Sequence, residues 1–197
     1  HLYIIDNSEH GTFELDNSLK DLRKKITVLK ANEKRSAAYA RNIGLSKIKS
    51  KYVAFVDSDD YVDQNHISEG VKFLDNHSNK KVVYSTAYVN YDNGKLEVRR
   101  SNSRITLFTI CTFCPVSLGT SIMHRNYDIK IPEYKSRHDL ALWIKLYKLN
   151  YYFHVNNEIL MTRNIHKNNL SKRILTNLVQ YFIIFKNEAN LKLGKNL

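Results

Sequence analysis

The segment Tyr52-Val53-Ala54-Phe55-Val56-Asp57-Ser58-Asp59-Asp60 constrains this chain more than any other. Its first half is an unbroken apolar, aromatic and β-branched run, the pattern of a central strand buried on both faces. Three carboxylates then crowd into its last four residues. In open α/β sheets, ligands bind beyond the carboxyl ends of the strands, so the acidic cluster stands where a ligand would. Like charges this close repel unless a cation or solvent offsets them. Hard divalent cations prefer carboxylate oxygens, and magnesium is typically held by one or two carboxylates together with substrate phosphates. The D-x-D spacing sets Asp57 and Asp59 on one side of an extended segment. Two readings follow: a metal–diphosphate site, or a solvated acidic turn capping a helix that starts near Asp63.

The neighbouring pattern supports an α/β fold. Leu2 to Ile5 reads as a strand closed by the turn residues Asp6-Asn7-Ser8. A weak helical period (Phe13, Leu15, Leu19, Leu22) precedes a second strand over Ile26 to Leu29. Ala37 to Ile48 carries a helical stripe of Ala37, Ala40, Ile43 (or Gly44) and Ile48. This alternation of strand and helix predicts a mostly parallel mixed sheet flanked by helices. Further on, the spacing predicts a helix over 63–77, a strand over 82–91 and a turn at Asn93-Gly94 into a strand over 96–98. Strands over 117–123 and 151–161 flank a helix over 137–149, while 101–116 carries no decisive pattern. Residues 172–193 read as a basic amphipathic helix with Ile174, Leu175, Leu178, Phe182 and Phe185 on its apolar face. The parse is one domain over 1–171 with a C-terminal helical extension over 172–197.

Composition excludes several classes. A chain of 197 residues, 43% hydrophobic and 25% charged, can bury its own core without disulfides or metal staples. Its longest apolar run, Tyr181 to Phe185, is far too short to span a bilayer. No secretory signal pattern opens the sequence, and His1 followed directly by a strand reads as part of a longer gene product. The net charge of +12 favours anionic partners. Nucleic acid is not expected among them, because no basic face with interleaved stacking aromatics occurs; a basic nucleic-acid-binding protein stays open as an alternative on charge alone. Cys111 and Cys114 have C-x-x-C spacing but no second ligand pair, so they read as ordinary thiols of a reducing, cytoplasmic compartment.

The block Asn32 to Asp60 closely resembles the donor-site half of family 2 glycosyltransferases with the GT-A fold. There, an Asn precedes an A-R-N-x-G helix, and a strand ends in D-S-D-D. Ala40-Arg41-Asn42, Gly44, Phe55 and Asp57 to Asp60 match that pattern position by position. Upstream, Ile4-Ile5-Asp6-Asn7-Ser8 with Gly11-Thr12 is similar to the family's D-D-G-S-x-D-G-T turn, one residue shorter and without its first Gly. Downstream, in the family's order, come Gly119 to Met123, then Ser136 to Trp143, then Arg163-Asn164-Ile165-His166 with Ser171. The Ser136 to Trp143 stretch resembles an E-D-x-x-L-W segment, with His138 where Glu usually stands.

The resemblance implies an inverting, metal-dependent transfer of sugar from a nucleoside-diphosphate donor, expected to be a UDP-sugar. The acceptor would be a hydroxyl of a surface polysaccharide, teichoic acid or lipid-linked glycan. It implies Asp6, Asn32, Arg41, Asp57 and Arg163 on the nucleotide and donor side. Asp59 and His166 would be ligands to Mn²⁺ or Mg²⁺, Asp139 the general base, and Gly119, His138 and Trp143 would lie on the acceptor side. A cytoplasmic enzyme peripheral to the inner face of the cell membrane fits this setting, with the 172–193 helix as an interfacial anchor. The family also opens with a strand resembling S-I-I-I-P-x-Y-N and a helix that have no counterpart here. An inactive, N-terminally incomplete copy is therefore the other reading.

Overall fold

A computed structural model describes residues 1–8, 13–33, 36–77, 81–100, 104–126, 128–165 and 174–189. Strands β1 (Leu2–Asp6) and β2 (Ile26–Lys30) pair in parallel, Leu2 against Ile26 through Asp6 against Lys30. Between them, Asn17–Lys25 forms a 3-10 helix that buries no residue, so the weak period expected over 12–25 yields a surface turn rather than a packed helix. Helix α1 (Ala37–Lys47) starts where the Ser36 hydroxyl accepts the Tyr39 N–H at 3.0 Å. It buries Ala38, Ala40, Gly44 and Leu45. These small side chains let it lie close on β1: a Cβ at Gly44 would stand 3.5 Å from Ile5.

The larger sheet has the order β3-β7-β5-β8-β4, with β6 beside β5. Its strands are β3 (Tyr52–Ala54), β4 (Tyr61–Val62), β5 (Lys81–Tyr91), β6 (Leu96–Arg99), β7 (Ser121–His124) and β8 (Tyr152–Ile165). The sheet is mixed and flanked by helices, as expected. Its parallel character resides in the long β5–β8 pair, whereas β3–β7, β4–β8, β5–β6 and β5–β7 are antiparallel. With the β1–β2 pair of the smaller sheet, the two longest ladders are parallel, and the antiparallel pairings are shorter. The β5–β6 pair has a local cause: the Asn93-Gly94 turn, with Gly94 at φ +78°, folds β6 straight back. Strand β3 is shorter than its apolar run implies. Phe55 and Val56 leave the ladder, and Val56 is 48% exposed, as the chain turns into the acidic loop.

Helix α2 (His66–Asp75) packs on β7 through Gly70. A Cβ there would fall 2.3 Å from Ile122 Cδ1, so a side chain would push the two apart. The unassigned 101–116 stretch contains α3 (Leu107–Phe113), started by a reciprocal Thr106–Thr109 capping box. Helix α4 (His138–Lys148) buries Leu140 through Ile144 in one run, and α3 packs beside it. Trp143 is fully buried and donates its indole N–H to the Val116 carbonyl at 2.9 Å. Emptying such a site typically costs about 3–5 kcal/mol. Trp143 thus anchors α4 in the core and does not line the cleft, which corrects its expected acceptor-side position.

Helix α5 (Ile174–Ile184) continues into a wider turn over Phe185–Ala189. It docks through a polar and aromatic face. Asn177, Gln180 and Ile184 are buried, the Gln180 amide oxygen accepts the Lys135 N–H at 3.1 Å, and the Tyr181 hydroxyl donates to the Cys111 carbonyl. The apolar stripe read from the sequence is therefore divided. Phe185 packs against the core, whereas Leu175, Leu178 and Phe182, with Val179, face outward. The reason is that buried Gln180 finds a partner in the Lys135 N–H and Asn177 is buried beside it on the same face, which lets apolar side chains take the outer face.

Candidate functional site

The acidic loop following β3 is pinned from two directions. Asp60 N–H bonds the Asp57 carbonyl at 3.1 Å, which tightens the turn. From β8, Asn164 donates its backbone N–H to the Asp60 carboxylate at 3.0 Å and its side-chain amide to the Asp59 carbonyl. The result is a cluster in which one oxygen from each of Asp57, Asp59 and Asp60 lies within 4.8 Å of the others. Burial, with Asp57 and Asp59 close by, pushes the Asp60 carboxyl up to about 6. Concentrated hard carboxylate oxygens are the donor set that Mg²⁺ or Mn²⁺ takes, so these residues fit a divalent cation.

Arg41 comes from α1 to the same place. Its guanidinium donates to the Asp57 carboxylate and to His138 Nε2. A guanidinium has no lone pair to offer, so His138 accepts on Nε2 and carries its proton on Nδ1. Burial lowers the His138 pKa, with Arg41 adding to the effect against Asp139 and Asp57. The neutral imidazole thus ties the helix of the acidic half to the first residue of α4. A Glu there would pair with Arg41 by charge. Asp139 follows in the first turn of α4, where Oδ1 accepts the Leu140 N–H at 2.9 Å.

A cleft of about 750 Å³ gathers these groups. Arg41, Asp57, Asp59, Gly119, His138, Asp139 and Arg163 all line it, although they come from five separate stretches of sequence. Gly119 lies in close approach: a Cβ there would meet Met161 Cε at 2.5 Å, so the flexible end of Met161 would have to shift, and it would stand 3.6 Å from Asp60 Oδ2. Besides Trp143, two more expected residues lie outside the lining. The Asp6 carboxylate is occupied locally, accepting from Ser8 N–H, the Ser8 hydroxyl, Phe13 N–H and Lys30 Nζ, and these bonds hold its pKa well below the carboxylate range. Asn32 is exposed after β2. His166, together with Gly11, Thr12 and Ser171, lies outside the described residues.

Polar lining residues that the sequence reading did not place at the site include Ser136, Arg137 and Arg99. Ser136 and Arg137 directly precede His138-Asp139, and that adjacency was a usable signal. Arg99 had none, because only the β5–β6 hairpin brings it to the cleft. Cys114 also lines the cleft, at φ +42° as the cap of α3, and burial drives its thiol pKa well up. An inert thiol agrees with the reading of both cysteines as ordinary.

The cleft thus joins an acidic loop beyond β3, a guanidinium-bridged second half and a carboxylate at a helix start. The sequence profile of glycosyl transferase family 2 matches residues 2–131, and the chain belongs to that family, with its GT-A fold. It is 33% identical over 145 residues to the UDP-Glc:alpha-D-GlcNAc-diphosphoundecaprenol beta-1,3-glucosyltransferase WfaP of Escherichia coli, covering 72% of this chain and 55% of that protein. It is 24% identical over 173 residues to the putative teichuronic acid biosynthesis glycosyltransferase TuaG of Bacillus subtilis, covering 86% of this chain and 69% of that protein. It is also 29% identical over 116 residues to the poly(ribitol-phosphate) beta-N-acetylglucosaminyltransferase TarS of Staphylococcus aureus, covering 54% and 20%. The chain thus spans little more than half of the first relative and a fifth of the third. The chain is thus similar to enzymes of cell-surface polysaccharide synthesis. Among the described residues, no helix is long and apolar enough to cross a membrane.

Proposed function

We propose that the chain is the catalytic unit of an inverting, metal-dependent transferase that moves a sugar from a UDP-sugar to a hydroxyl of a surface-polysaccharide or lipid-linked acceptor. The observation that carries this reading is the convergence of Asp57 and Asp59, two members of the acidic cluster, and Asp139 on one cleft. Asp57, Asp59 and Asp60 would hold Mn²⁺ or Mg²⁺, which when bound offsets the charge developing on the leaving diphosphate. Arg41 fixes the Asp57 carboxylate and leaves Asp59 turned to solvent. Asp139 takes the proton of the acceptor hydroxyl, the hydroxyl oxygen bonds to the anomeric carbon, and the bond from that carbon to the diphosphate oxygen breaks. A single displacement with one base inverts the anomeric centre. The test is incubation of the full chain with a panel of UDP-sugars, Mn²⁺ and glycan acceptors, read by UDP release and by NMR of the product. One donor consumed with inversion is expected. Retention of configuration, or equal turnover in EDTA, would overturn the reading.

In the same reading, residues 172–197 are an extension that brings the enzyme to the inner face of the cell membrane. The outward Leu175, Leu178, Val179 and Phe182 offer an apolar stripe, and Lys172 and Arg173 precede it in sequence. Because these apolar side chains are exposed, Leu178→Glu with Phe182→Glu leaves the packed face of α5 alone. Flotation with anionic vesicles is expected to fall strongly in that variant; equal flotation would refute the anchor.

A further inference from the structure

We propose that the cleft contains a second anion subsite, built by Arg99, Arg137, Ser136 and Arg163 (the last reassigned from the donor side, where the family resemblance put it), that takes the phosphate of a phosphorylated acceptor. This rests on the transferase reading and deepens it by naming the acceptor's chemistry. The three arginines come from three elements. Arg99 on β6 is paired with Ala87, and Arg163 on β8 with Val89. Ala87 and Val89 are two apart on β5, so the two arginines stand on the same face of the sheet, one strand to either side. Arg137 reaches the same cleft from the start of α4. Arg41 is held by Asp57 and His138, but none of these three forms an ion pair among the described residues. A cleft lined by three such cations attracts an anion.

Arg137 and Ser136 show that the place is built. Arg137 has φ +55°, a backbone region that disfavours a long side chain. Its guanidinium stacks on the Tyr181 ring at 4.6 Å, and its Nε is buried without a hydrogen-bond partner. Ser136 lines the cleft at 4% exposure, and its hydroxyl has no partner either. A buried hydroxyl and a buried guanidinium N–H left unmatched on adjacent residues call for an acceptor from outside the chain. The start of α4 has no side-chain cap from Arg137, which adds amide donors to the same point. Asp139 follows two residues later. A phosphate held at Ser136 and Arg137 therefore sets a hydroxyl of the same sugar beside the carboxylate that would deprotonate it.

The phosphate could belong instead to the donor, and the experiment separates the two sources. Glucose 1-phosphate is titrated into the full chain by calorimetry, alone and with saturating UDP and Mn²⁺; UDP with Mn²⁺ is titrated separately. Equal glucose 1-phosphate affinity with and without UDP is expected. Removing both Arg99 and Arg137 as alanines should weaken it about tenfold or more and leave UDP affinity within about twofold. Arg99 is exposed, so Arg99→Ala alone keeps the fold and should still give a measurable part of that loss. Displacement of glucose 1-phosphate by UDP would assign the arginines to the donor and overturn the proposal, as would unchanged affinity in the variants. Loss of UDP binding with glucose 1-phosphate binding intact would instead count against the donor site and leave this subsite standing.

Discussion

Asp139→Asn lowers kcat by about 10²–10⁴-fold and leaves the KM for the donor near its wild-type value. The side chains have the same shape, and the amide oxygen of Asn can still accept the Leu140 N–H that Asp139 Oδ1 accepts at 2.9 Å. The following residues Leu140 to Ile144 are all buried, so α4 stays in register whichever residue stands at its first turn. What the amide cannot do is take a proton. The loss therefore falls on the chemical step and spares the acidic half of the cleft, which comes from the β3 loop and α1 rather than α4. Single-turnover kinetics with a competent acceptor, alongside thermal unfolding, checks this. A variant that keeps more than about a tenth of wild-type kcat would return Asp139 to the role of a helix-start residue alone, well short of the loss expected for a missing base.

The parts of this site that could be read from the sequence are those where chemistry is written in adjacent residues. The D-S-D-D run names its own carboxylates, and the A-R-N-x-G helix names Arg41 because its spacing from the strand is short. Asp139 was legible through its neighbours, Leu142 and Trp143. Trp143 itself was not, since a Trp near a cleft and a Trp beneath it have the same sequence environment. Only the contact to the Val116 carbonyl separates the two cases. Arg99 reaches the cleft through strand pairing between β5 and β6, and pairing partners distant from the motif leave no periodic trace. Helix α5 misled for a physical reason. Hydrophobic periodicity assumes that the apolar face packs inward, but buried Asn177 and Gln180, the latter held by the Lys135 N–H, turned a polar face toward the core. The strand over 52–56 was read two residues too long because Phe55 and Val56 have strand composition, while the carboxylates beyond them force the turn.

Asp59→Ala abolishes the manganese-dependent part of UDP binding and leaves the fold intact. Each of the three clustered carboxylates has a different duty. One oxygen of Asp57 is engaged by Arg41, and Asp60 is half-buried and holds the Asn164 N–H at 3.0 Å. Replacing either would disturb α1 or β8 as well as the cluster. Asp59 is exposed, and its tie to β8 runs through its backbone carbonyl, which alanine keeps. Its carboxylate is therefore the one whose removal disturbs α1 and β8 least while testing cation binding. A ligand to a divalent ion contributes at least as much as the outer groups that orient ligands, whose loss typically costs about 10–100-fold in metal affinity. In calorimetry with Mn²⁺ the variant should bind UDP at least that much more weakly, approaching the affinity of wild type in EDTA. The comparison with EDTA decides between the two readings of the acidic turn. If wild type binds UDP equally with and without Mn²⁺, and Asp59→Ala changes neither, the three carboxylates are a solvated turn, and charge on the leaving diphosphate must be offset by arginines alone.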